Sequence, residues 1–264
     1  MSDSDRVIRL RYDATCCVCA THLRSGSTAA WNRATREATC APCLGIAEVD
    51  RGTAGASARR EFLRRHNRRD AQIRESHKLV GGLLSALTSD PASTRSWGIG
   101  AKGEETIGPS LDALRSEGSA VLHDRQMPAS TANIDHIVVS QAGVFVIDTK
   151  HYQGQVARRG TRLFVGSRDR SDLLDGILRQ RDVVRHTLAE RDAYREIPVT
   201  AALLFMSADN WPLFQMRPLQ FDGVYVLWGK ALGKLVRSGG RVPLEMIPKL
   251  EHFLAATLPS SKSA

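Results

Sequence analysis

The sequence predicts an α/β protein in which a mixed β-sheet is flanked by helices and preceded by a small zinc-knuckle module. A β-hairpin at Asn133 to Lys150 supplies antiparallel strands, and an apolar run at Pro198 to Ser207 supplies a buried parallel strand after a crossover helix. Two C-x2-C pairs near the N-terminus predict the zinc module. The predicted parts are a zinc-binding module at 1–50, a basic helical arm and linker at 51–96, and a larger domain at 97–260.

The composition is basic, because 37 Lys and Arg residues outnumber 28 Asp and Glu residues. The formal net charge of +9 and the pI near 9.7 favour an anionic partner, either nucleic acid or an anionic membrane surface. No apolar run approaches the ~18 residues needed to cross a bilayer, and the first residues lack the pattern of a signal peptide. We therefore expect a soluble, cytoplasmic protein that does not act at a membrane.

Four of the five cysteines form two pairs, Cys16 with Cys19 and Cys40 with Cys43. The spacing within and between the pairs is close to that of sites in which four thiolates bind zinc. Cys17 is expected to point away from such a site and to take no part in it. The sequence therefore predicts a structural zinc site with four cysteine ligands.

Two alternatives for the cysteines are reduced thiols in a small core and disulfide pairs. About fifty residues with few large apolar side chains could hardly fold unaided, which disfavours the first. A reducing compartment disfavours the second. The spacing does not say whether the module binds DNA, RNA or protein, or only stabilises the chain.

The segment from Arg51 to Val80 has nine Arg or Lys residues and three Asp or Glu residues. Arg60, Arg64 and Arg68 recur every four residues, so they would form a basic stripe on a helix. The segment is either a solvated connecting helix or an arm that contacts phosphates of nucleic acid. Ser85 to Trp97 is rich in Ser, Thr and Pro, which predicts a linker.

The larger domain opens with a predicted helix in which Ile107, Leu111 and Leu114 recur at helical spacing. Glu104 extends this apolar stripe by one turn toward the N-terminus. A carboxylate on the inward face of a helix is unusual for a residue that serves only solubility. Pro109 interrupts the pattern, so the helix is expected to kink there or to start at the proline.

The hairpin consists of strands at Ile134 to Val139 and Val144 to Asp148, joined by a Ser-Gln-Ala-Gly turn. A symmetric turn pairs residues whose numbers sum to 283, which places Asp135 opposite Asp148. Opposed like charges destabilise a sheet unless something such as a divalent metal offsets them. Alternation puts Lys150 on the face of Asp148. The alternative is an ordinary salt bridge between Asp135 and Lys150, with Asp148 as a turn acid.

Further elements complete the predicted sheet and its helices. A strand at Ala120 to His123 precedes the hairpin, and Gln153 to Val165 supplies one or two short strands. A helix at Ser171 to Leu188 has an apolar stripe that Gln180 interrupts, so this amide is either buried and satisfied or reaches the polar cluster on the sheet. The last predicted elements are a strand at Gly223 to Leu227 and helices at Lys230 to Arg237 and Leu244 to Ala256.

Two or three carboxylates with one lysine at the edge of a sheet suit metal-assisted hydrolysis of a phosphodiester. Carboxylate oxygens prefer a hard ion such as Mg²⁺ or Mn²⁺, which also binds phosphate oxygens. Such an ion polarises the phosphoryl group and lowers the pKa of an attacking water. The lysine can orient that water or offset the charge that develops on the phosphate.

Three sequence blocks also resemble the nuclease-related domain (NERD) of the PD-(D/E)xK nuclease superfamily. The blocks are Gly-Ala-Lys-Gly-Glu at 100–104, Ile-Asp-His at 134–136 and Gly-Val-Phe-Val-Ile-Asp-Thr-Lys at 143–150. The resemblance covers roughly Trp97 to Trp228 and implies a restriction-endonuclease-like α/β core, dependence on a divalent metal, and DNA as substrate. An isoleucine replaces the signature proline, and an aspartate stands where many members have glutamate.

The resemblance carries functional roles onto this chain. It makes Glu104 the acid on the helix, Asp135 the motif acid, and Asp148 with Lys150 the D-x-K pair. The three acids are the predicted Mg²⁺ ligands. Apart from the resemblance, Gln180 joins the candidate catalytic residues because it interrupts the apolar stripe of its helix and could reach the polar cluster.

Three hypotheses follow from the sequence. The first is a Mg²⁺-dependent DNA endonuclease or nickase in which the zinc module and the basic arm help to bind DNA, with RNA as an alternative substrate and a homodimer as one assembly. The second is a non-catalytic nucleic-acid-binding or adaptor protein on an inactive nuclease fold. The third makes the zinc module a device for protein interaction.

Overall fold

The computed structural model describes residues 5–45, 48–76, 104–207, 210–211 and 217–261. The linker predicted at Ser85 to Trp97 and the Gly-Ala-Lys-Gly block before Glu104 lie outside these residues. Across the described ranges, no helix is long and apolar enough to cross a bilayer.

The N-terminal residues form a small module rich in β-structure. Its strands are β1 (Asp5–Arg9), β2 (Ala14–Thr15), β3 (His22–Leu23), β4 (Thr28–Asn32) and β5 (Glu37–Cys40). Strands β1, β4 and β5 make an antiparallel sheet, and β2 pairs with β3. The buried core contains two leucines, two alanines and three cysteines. Because apolar burial is so limited, the cysteines must contribute to the stability of the module.

The basic segment forms helix α1 (Ala56–Ser76), as one interpretation of its charge pattern predicted. Its sequence is strongly polar, and side-chain pairs support it. Glu61 accepts hydrogen bonds from Arg64 at 2.7 Å and from Arg65 at 2.5 Å. These pairs lie three and four residues apart, the spacing at which side chains on a helix meet.

Residues 104–112 form helix α2, which continues into a 3₁₀ turn at Ala113–Glu117. The predicted apolar stripe is buried, because Ile107, Leu111 and Leu114 all pack in the core. The helix does not begin at Pro109, so that alternative is wrong. Glu104 lies in its first described turn.

The central sheet has six strands and mixed polarity. In chain order, the remaining strands of the protein are β6 (Ala120–Gln126), β7 (Asn133–Ser140), β8 (Gly143–Lys150), β9 (Val156–Arg159), β10 (Arg162–Val165), β11 (Arg168–Asp169), β12 (Val199–Phe205), β13 (Leu219–Phe221) and β14 (Val224–Leu227). The order in the central sheet is β13-β14-β12-β8-β7-β6, and β9, β10 and β11 form a separate antiparallel sheet. The sequence did not predict β11 or β13, and β6 continues three residues beyond its predicted end.

The hairpin register follows the predicted sum as far as His136, and the predicted pair of Asp135 and Asp148 lies one residue beyond the last paired residues. Val139 pairs with Val144 and His136 with Ile147, so the numbers of paired residues sum to 283. Strand β12 is parallel to both β8 and β14, as its apolar sequence predicted.

Helices cover both faces of the central sheet. Besides α2, they are α3 (Asp172–Ala189), α4 (Gly229–Val236) and α5 (Met246–Thr257). One face packs against α3 and α5 through residues such as Ile177 and Phe253, and the other packs against α2 and α4 through Leu111 and Leu232. The predicted α/β class is confirmed, and the hairpin lies inside the sheet with its charged end at one edge.

Candidate acidic site and cysteine cluster

Strand β8 ends in a buried ion pair. Lys150 Nζ donates a hydrogen bond to Asp148 Oδ1 at 2.6 Å, and Asp148 is 5% exposed. Burial by itself would lower the pKa of Lys150, but Asp148 and Asp135 outweigh it and raise that pKa above its ordinary value. The lysine therefore stays protonated. The ion pair joins Lys150 to Asp148. The alternative that the sequence allowed was a salt bridge between Lys150 and Asp135, and this is not the pair that forms.

Asp135 lies on the neighbouring strand β7 beside this pair. Its Oδ2 accepts a hydrogen bond from the backbone N–H of Thr149 at 2.9 Å. Burial raises the pKa of Asp135 well above its ordinary value, and the charges of Asp148 and Glu104 raise it further. The predicted proximity of the two hairpin acids therefore appears as mutual electrostatic repulsion.

Glu104 approaches the same region from helix α2. It is 9% exposed, and its Oε2 accepts a hydrogen bond from the N–H of Gly55 at 3.1 Å. Burial, followed by the charges of Asp124 and Asp148, raises the pKa of Glu104 to about 7. The three acids predicted from the sequence thus belong to one electrostatic cluster.

A fourth acid, Asp124, belongs to the cluster and was missed by the sequence analysis. It is 1% exposed and accepts hydrogen bonds from the N–H of Ser57 and the side-chain amide of Asn133, both at 2.9 Å. The predicted strand ended one residue earlier, at His123. Asp124 has a φ of 51°, a left-handed conformation that aspartate tolerates better than most residues. No local pattern in the sequence marked it as a site residue.

The N-terminus of helix α1 contacts two of these acids. The N–H groups of Gly55 and Ser57 donate to Glu104 and Asp124 respectively, so the helix presents its orphan amides and the positive end of its dipole to them. The segment just before this helix, from Arg51 to Gly55, runs along β6, where Arg51 O accepts a hydrogen bond from the N–H of His123 at 2.8 Å. The basic arm is therefore built into the acidic site.

The predicted basic stripe on α1 is divided between different partners. Arg60 lies 3.6 Å from Asp124, and Arg64 forms a two-pronged contact with Glu61. Arg68 is exposed. Helix α1 thus places Arg60, Arg64 and Arg68 one turn apart on one face, and Asp124 and Glu61 engage the first two.

Gln180 lies on α3, as predicted, and is half-buried. Its Oε1 is buried and has no hydrogen-bond partner among the described residues. An amide oxygen in that state costs free energy unless a water or an ion satisfies it.

The acids fit a hard cation by chemistry more than by preformed geometry. Within the described ranges, the four cysteines are the only group of three or more metal-binding side chains whose ligand atoms all lie within 4.8 Å. Glu104, Asp135 and Asp148 are not among the metal-binding groups found in these ranges. Burial, and then the charges of neighbouring acids, raises the pKa of Glu104 and of Asp135, and a bound cation would oppose both effects by favouring the ionised carboxylates.

The four predicted cysteines form a compact cluster that is compatible with zinc. The ligand atoms of Cys16, Cys19, Cys40 and Cys43 lie within 4.8 Å of one another, and the Sγ atoms of Cys19 and Cys40 are 3.6 Å apart. Zn–S bonds of about 2.3 Å in a tetrahedron would separate the sulfurs by roughly 3.8 Å. Cys17 is exposed and contacts Thr39, so its predicted exclusion is confirmed.

The thiols of the cluster affect one another. Hydrogen bonds from Cys19 and Cys40 lower the pKa of Cys16, whereas burial raises the pKa of Cys43 to about 12. The backbone N–H of Cys40 also donates to Cys16 Sγ at 3.3 Å. Negative charge is thus already stabilised on one sulfur, as a thiolate ligand requires.

The cysteine module packs directly on the larger domain. Cys43 Sγ lies 3.2 Å from Nδ1 of His252 on α5, and the hydroxyl of Tyr194 donates to the carbonyl oxygen of Cys19 at 3.2 Å. No sequence pattern indicated these contacts, because they join segments far apart in the chain.

Comparison with known families identifies part of the chain. The family model of the nuclease-related domain, NERD, matches residues 99–206. Neither the curated proteins nor the solved structures include a match to this chain. The matched segment contains Glu104, Asp135, Asp148 and Lys150, and also Gln180 on α3.

Proposed function

We propose that this protein, whose residues 99–206 match the family model of the nuclease-related domain, hydrolyses phosphodiester bonds in DNA with Mg²⁺ or Mn²⁺, as an endonuclease or nickase. The observation that carries the proposal is the cluster of Glu104, Asp135 and Asp148 with Lys150, which three separate segments bring to one edge of the sheet. Perturbed pKa values of this kind concentrate at functional sites.

The three acids would supply oxygen ligands to the cation. Bound there, a divalent cation would polarise the phosphodiester and lower the pKa of an attacking water. The hydrogen bonds from Gly55 to Glu104 and from Thr149 to Asp135 each use one carboxylate oxygen, and they orient the group. A second oxygen on each carboxylate suffices for a single metal bond.

Lys150 would act as an electrostatic partner of the phosphate. Because Asp148 and Asp135 raise its pKa, it carries a proton at neutral pH and is unsuited to be a general base. Its Nζ can donate to a phosphate oxygen as negative charge builds there. Gln180, with its unpartnered Oε1, is proposed to position a water or to contact the cation.

We also propose that Cys16, Cys19, Cys40 and Cys43 hold a structural Zn²⁺. Their compact arrangement and the small apolar core of the module support this assignment. All four positions of a tetrahedral ion would be filled by sulfur, which leaves none for a substrate.

The decisive experiment incubates supercoiled plasmid DNA with the purified full-length protein, with and without Mg²⁺ or Mn²⁺. We expect nicked or linear products only with metal. Replacing Asp148 with Asn or Lys150 with Met should slow cleavage by about 10²-fold or more. Glu104→Gln should do the same, whereas Glu105→Gln, its exposed neighbour, should cleave normally. If the wild-type protein and the Asp148→Asn variant give the same background, the hydrolase proposal fails.

A second candidate function is nucleic-acid binding without hydrolysis. The donors from Gly55 and Ser57, which each occupy one oxygen of Glu104 and Asp124, favour it. It predicts DNA binding whose affinity falls with salt but does not change when EDTA removes Mg²⁺. Metal-dependent cleavage that Asp148→Asn abolishes would exclude it.

A further inference from the structure

The small sheet formed by β9, β10 and β11 is dense in positive charge. Residues 156–170 contain five arginines and one acid, Asp169. We call this segment the arginine wing. The arginines are Arg158, Arg159, Arg162, Arg168 and Arg170.

The inner side of the wing is anchored in the main core. Val156, Leu163 and Val165 are buried in the apolar cluster that also contains α3. The outer side faces solvent, where Arg159 and Arg162 are exposed and pair across strands β9 and β10. Strand pairing therefore sets these two exposed arginines opposite each other on a sheet that is anchored in the core.

Aromatic rings hold several of these guanidinium groups. Arg159 Cζ lies 4.5 Å from the ring centroid of Phe164, and Arg170 Cζ lies 4.9 Å from that of Tyr152. Stacking on a ring restrains the head group but leaves its N–H edge free to point at an anion. Restrained donors lose less entropy when they bind phosphate.

The wing starts where the acidic site ends. Tyr152 follows Lys150 by two residues, and its ring packs at 6.3 Å from that of Phe205, the β12 partner of Lys150. The side-chain amide of Asn210 donates to the carbonyl oxygens of Tyr152 and Gly154 at 2.8 Å and 2.6 Å. The loop from the D-x-K pair to the wing is thus tied to the end of β12.

Internal acids engage the wing less than they engage helix α1. On helix α1, Arg64 contacts Glu61 of the same helix, and Arg60 contacts Asp124 of β6. In the wing, Asp169 contacts Arg162 at 3.0 Å and is the only acid of residues 156–170. Acids thus form ion pairs with Arg59, Arg60, Arg64 and Arg65 of α1, whereas Asp169 pairs with one of the five wing arginines.

We propose that the arginine wing binds the phosphate backbone of duplex DNA and holds the duplex at the end of β8. The inference rests on the proposed function, because the acidic site would act on the DNA held in this way. Contacts to phosphates supply affinity and position without reading sequence, and they release counterions. The wing therefore binds without a metal ion.

The test compares two sets of three arginine-to-alanine changes in the full-length protein. The wing variant carries Arg159→Ala, Arg162→Ala and Arg168→Ala. Arg158 is kept because it donates to the carbonyl oxygen of Gln220 and supports the sheet. The control variant changes three exposed arginines outside the wing, namely Arg185, Arg195 and Arg241, so the loss of charge is equal.

Binding of a fluorescent DNA duplex is measured by anisotropy in EDTA, over salt concentrations from about 50 to 200 mM. We expect the slope of log K against log salt to become shallower by about 2 to 3 for the wing variant, at about 0.9 for each lost phosphate contact. The control variant should keep the wild-type slope. Equal slopes for the wing and control variants would overturn the proposal.

A third variant with lysine at the three wing positions separates charge from folding. It should retain most of the slope, since lysine also neutralises phosphate, and its melting temperature should match that of the alanine variant. If the lysine variant no longer binds DNA, the proposal that the positive charge of the wing binds the phosphate backbone is overturned. Binding of single-stranded DNA that is tighter and equally wing-dependent would overturn the assignment to duplex.

The outcomes for the wing and for hydrolysis are independent. If the wild-type protein fails to cleave with metal but shows wing-dependent binding in EDTA, the hydrolase proposal fails and the wing stands. If it cleaves with metal but the wing variant binds like the control, the wing fails and the hydrolase proposal stands.

Discussion

Nδ1 of His252 lies 3.2 Å from Sγ of Cys43, so helix α5 of the larger domain touches the cysteine cluster directly. A ring nitrogen at this distance can donate a hydrogen bond to a thiolate, and such outer partners orient metal ligands and tune their affinity. We expect His252→Ala to weaken zinc binding by about 10- to 100-fold. Competition with a chromophoric chelator measures the change.

The exposed His186 on α3 offers a matched control for His252. His186→Ala should leave zinc affinity unchanged, and His252→Asn, which keeps a side-chain donor, should recover part of the loss. Equal affinities for the two alanine variants would show that the contact with Cys43 does not act on the metal.

The cysteine cluster allows a comparison between two neighbouring thiols. Cys19 is fully buried in the cluster, whereas Cys17 is exposed outside it. Because the module has so small an apolar core, Cys19→Ser should abolish stoichiometric zinc binding and unfold residues 5–45. Cys17→Ser should do neither. Zinc content and amide hydrogen exchange of the module measure both effects, and normal zinc content in Cys19→Ser would exclude a four-thiolate site.

Glu104 makes stability depend on pH in a direction opposite to that of most carboxylates. Burial and then the charges of Asp124 and Asp148 raise its pKa to about 7, so the folded state binds a proton that the unfolded state releases near pH 4.5. Its contribution to stability is therefore fully present below about pH 4.5 and decreases as the pH rises to about 7. The decrease is at most about 1.4 kcal/mol per pH unit.

Denaturant titrations of the metal-free protein test this sign. The unfolding free energy of the wild-type protein relative to Glu104→Gln should fall as the pH rises between about 4.5 and 7. Glu105→Gln, an exposed neighbour, should show no such trend. A difference that grows with pH would contradict the raised pKa of Glu104.

Asp124 should affect the titration of Glu104 directly. Its charge is the largest cause after burial of the raised pKa of Glu104, so Asp124→Asn should lower that pKa. Carbon-13 NMR of the Glu104 carboxyl group measures the shift. Asp175→Asn, which removes an exposed acid on α3, is the control and should leave the titration of Glu104 unchanged. An unshifted titration in Asp124→Asn would remove Asp124 from the cluster.

The parts of the protein that follow from local patterns could be predicted from the sequence. Alternation and turn chemistry gave the hairpin register, which the pairing of His136 with Ile147 confirms. The spacing of the cysteines predicted a cluster that the fold brings together, with Cys17 outside. In each case the physical cause lies within a few residues of the chain or in a fixed ligand chemistry.

The parts that depend on long-range packing could not be predicted. Asp124 enters the site because β6 continues beyond His123 with a residue in left-handed conformation, which no periodicity encodes. The amides of Gly55 and Ser57 reach the acids because the segment just before helix α1 runs along β6. The spacing of the arginines predicted a basic stripe on α1, but it could not show that Asp124 faces Arg60.

The segment just before helix α1 provides the last prediction, because Gly52 in this segment passes very close to β6. Gly52 has a φ of 70°, and a Cβ there would lie 2.1 Å from the carbonyl oxygen of His123. Gly239 has a φ of 71° and open space around it, so it is a matched control. Alanine at either site costs about 1–2 kcal/mol for the left-handed conformation. Only Gly52→Ala must also move a backbone, which adds about 1–3 kcal/mol.

The displaced backbone leads directly to helix α1. Gly52→Ala should therefore shift the amides of Gly55 and Ser57 away from Glu104 and Asp124, in addition to lowering the free energy of unfolding more than Gly239→Ala does. Loss of these donors removes stabilisation of the ionised acids, so the pKa of Glu104 should rise further in Gly52→Ala and stay unchanged in Gly239→Ala. Denaturant unfolding and carboxyl NMR measure the two effects. Equal destabilisation by the two variants, with no change in the titration of Glu104, would mean that the segment before helix α1 does not position the acids.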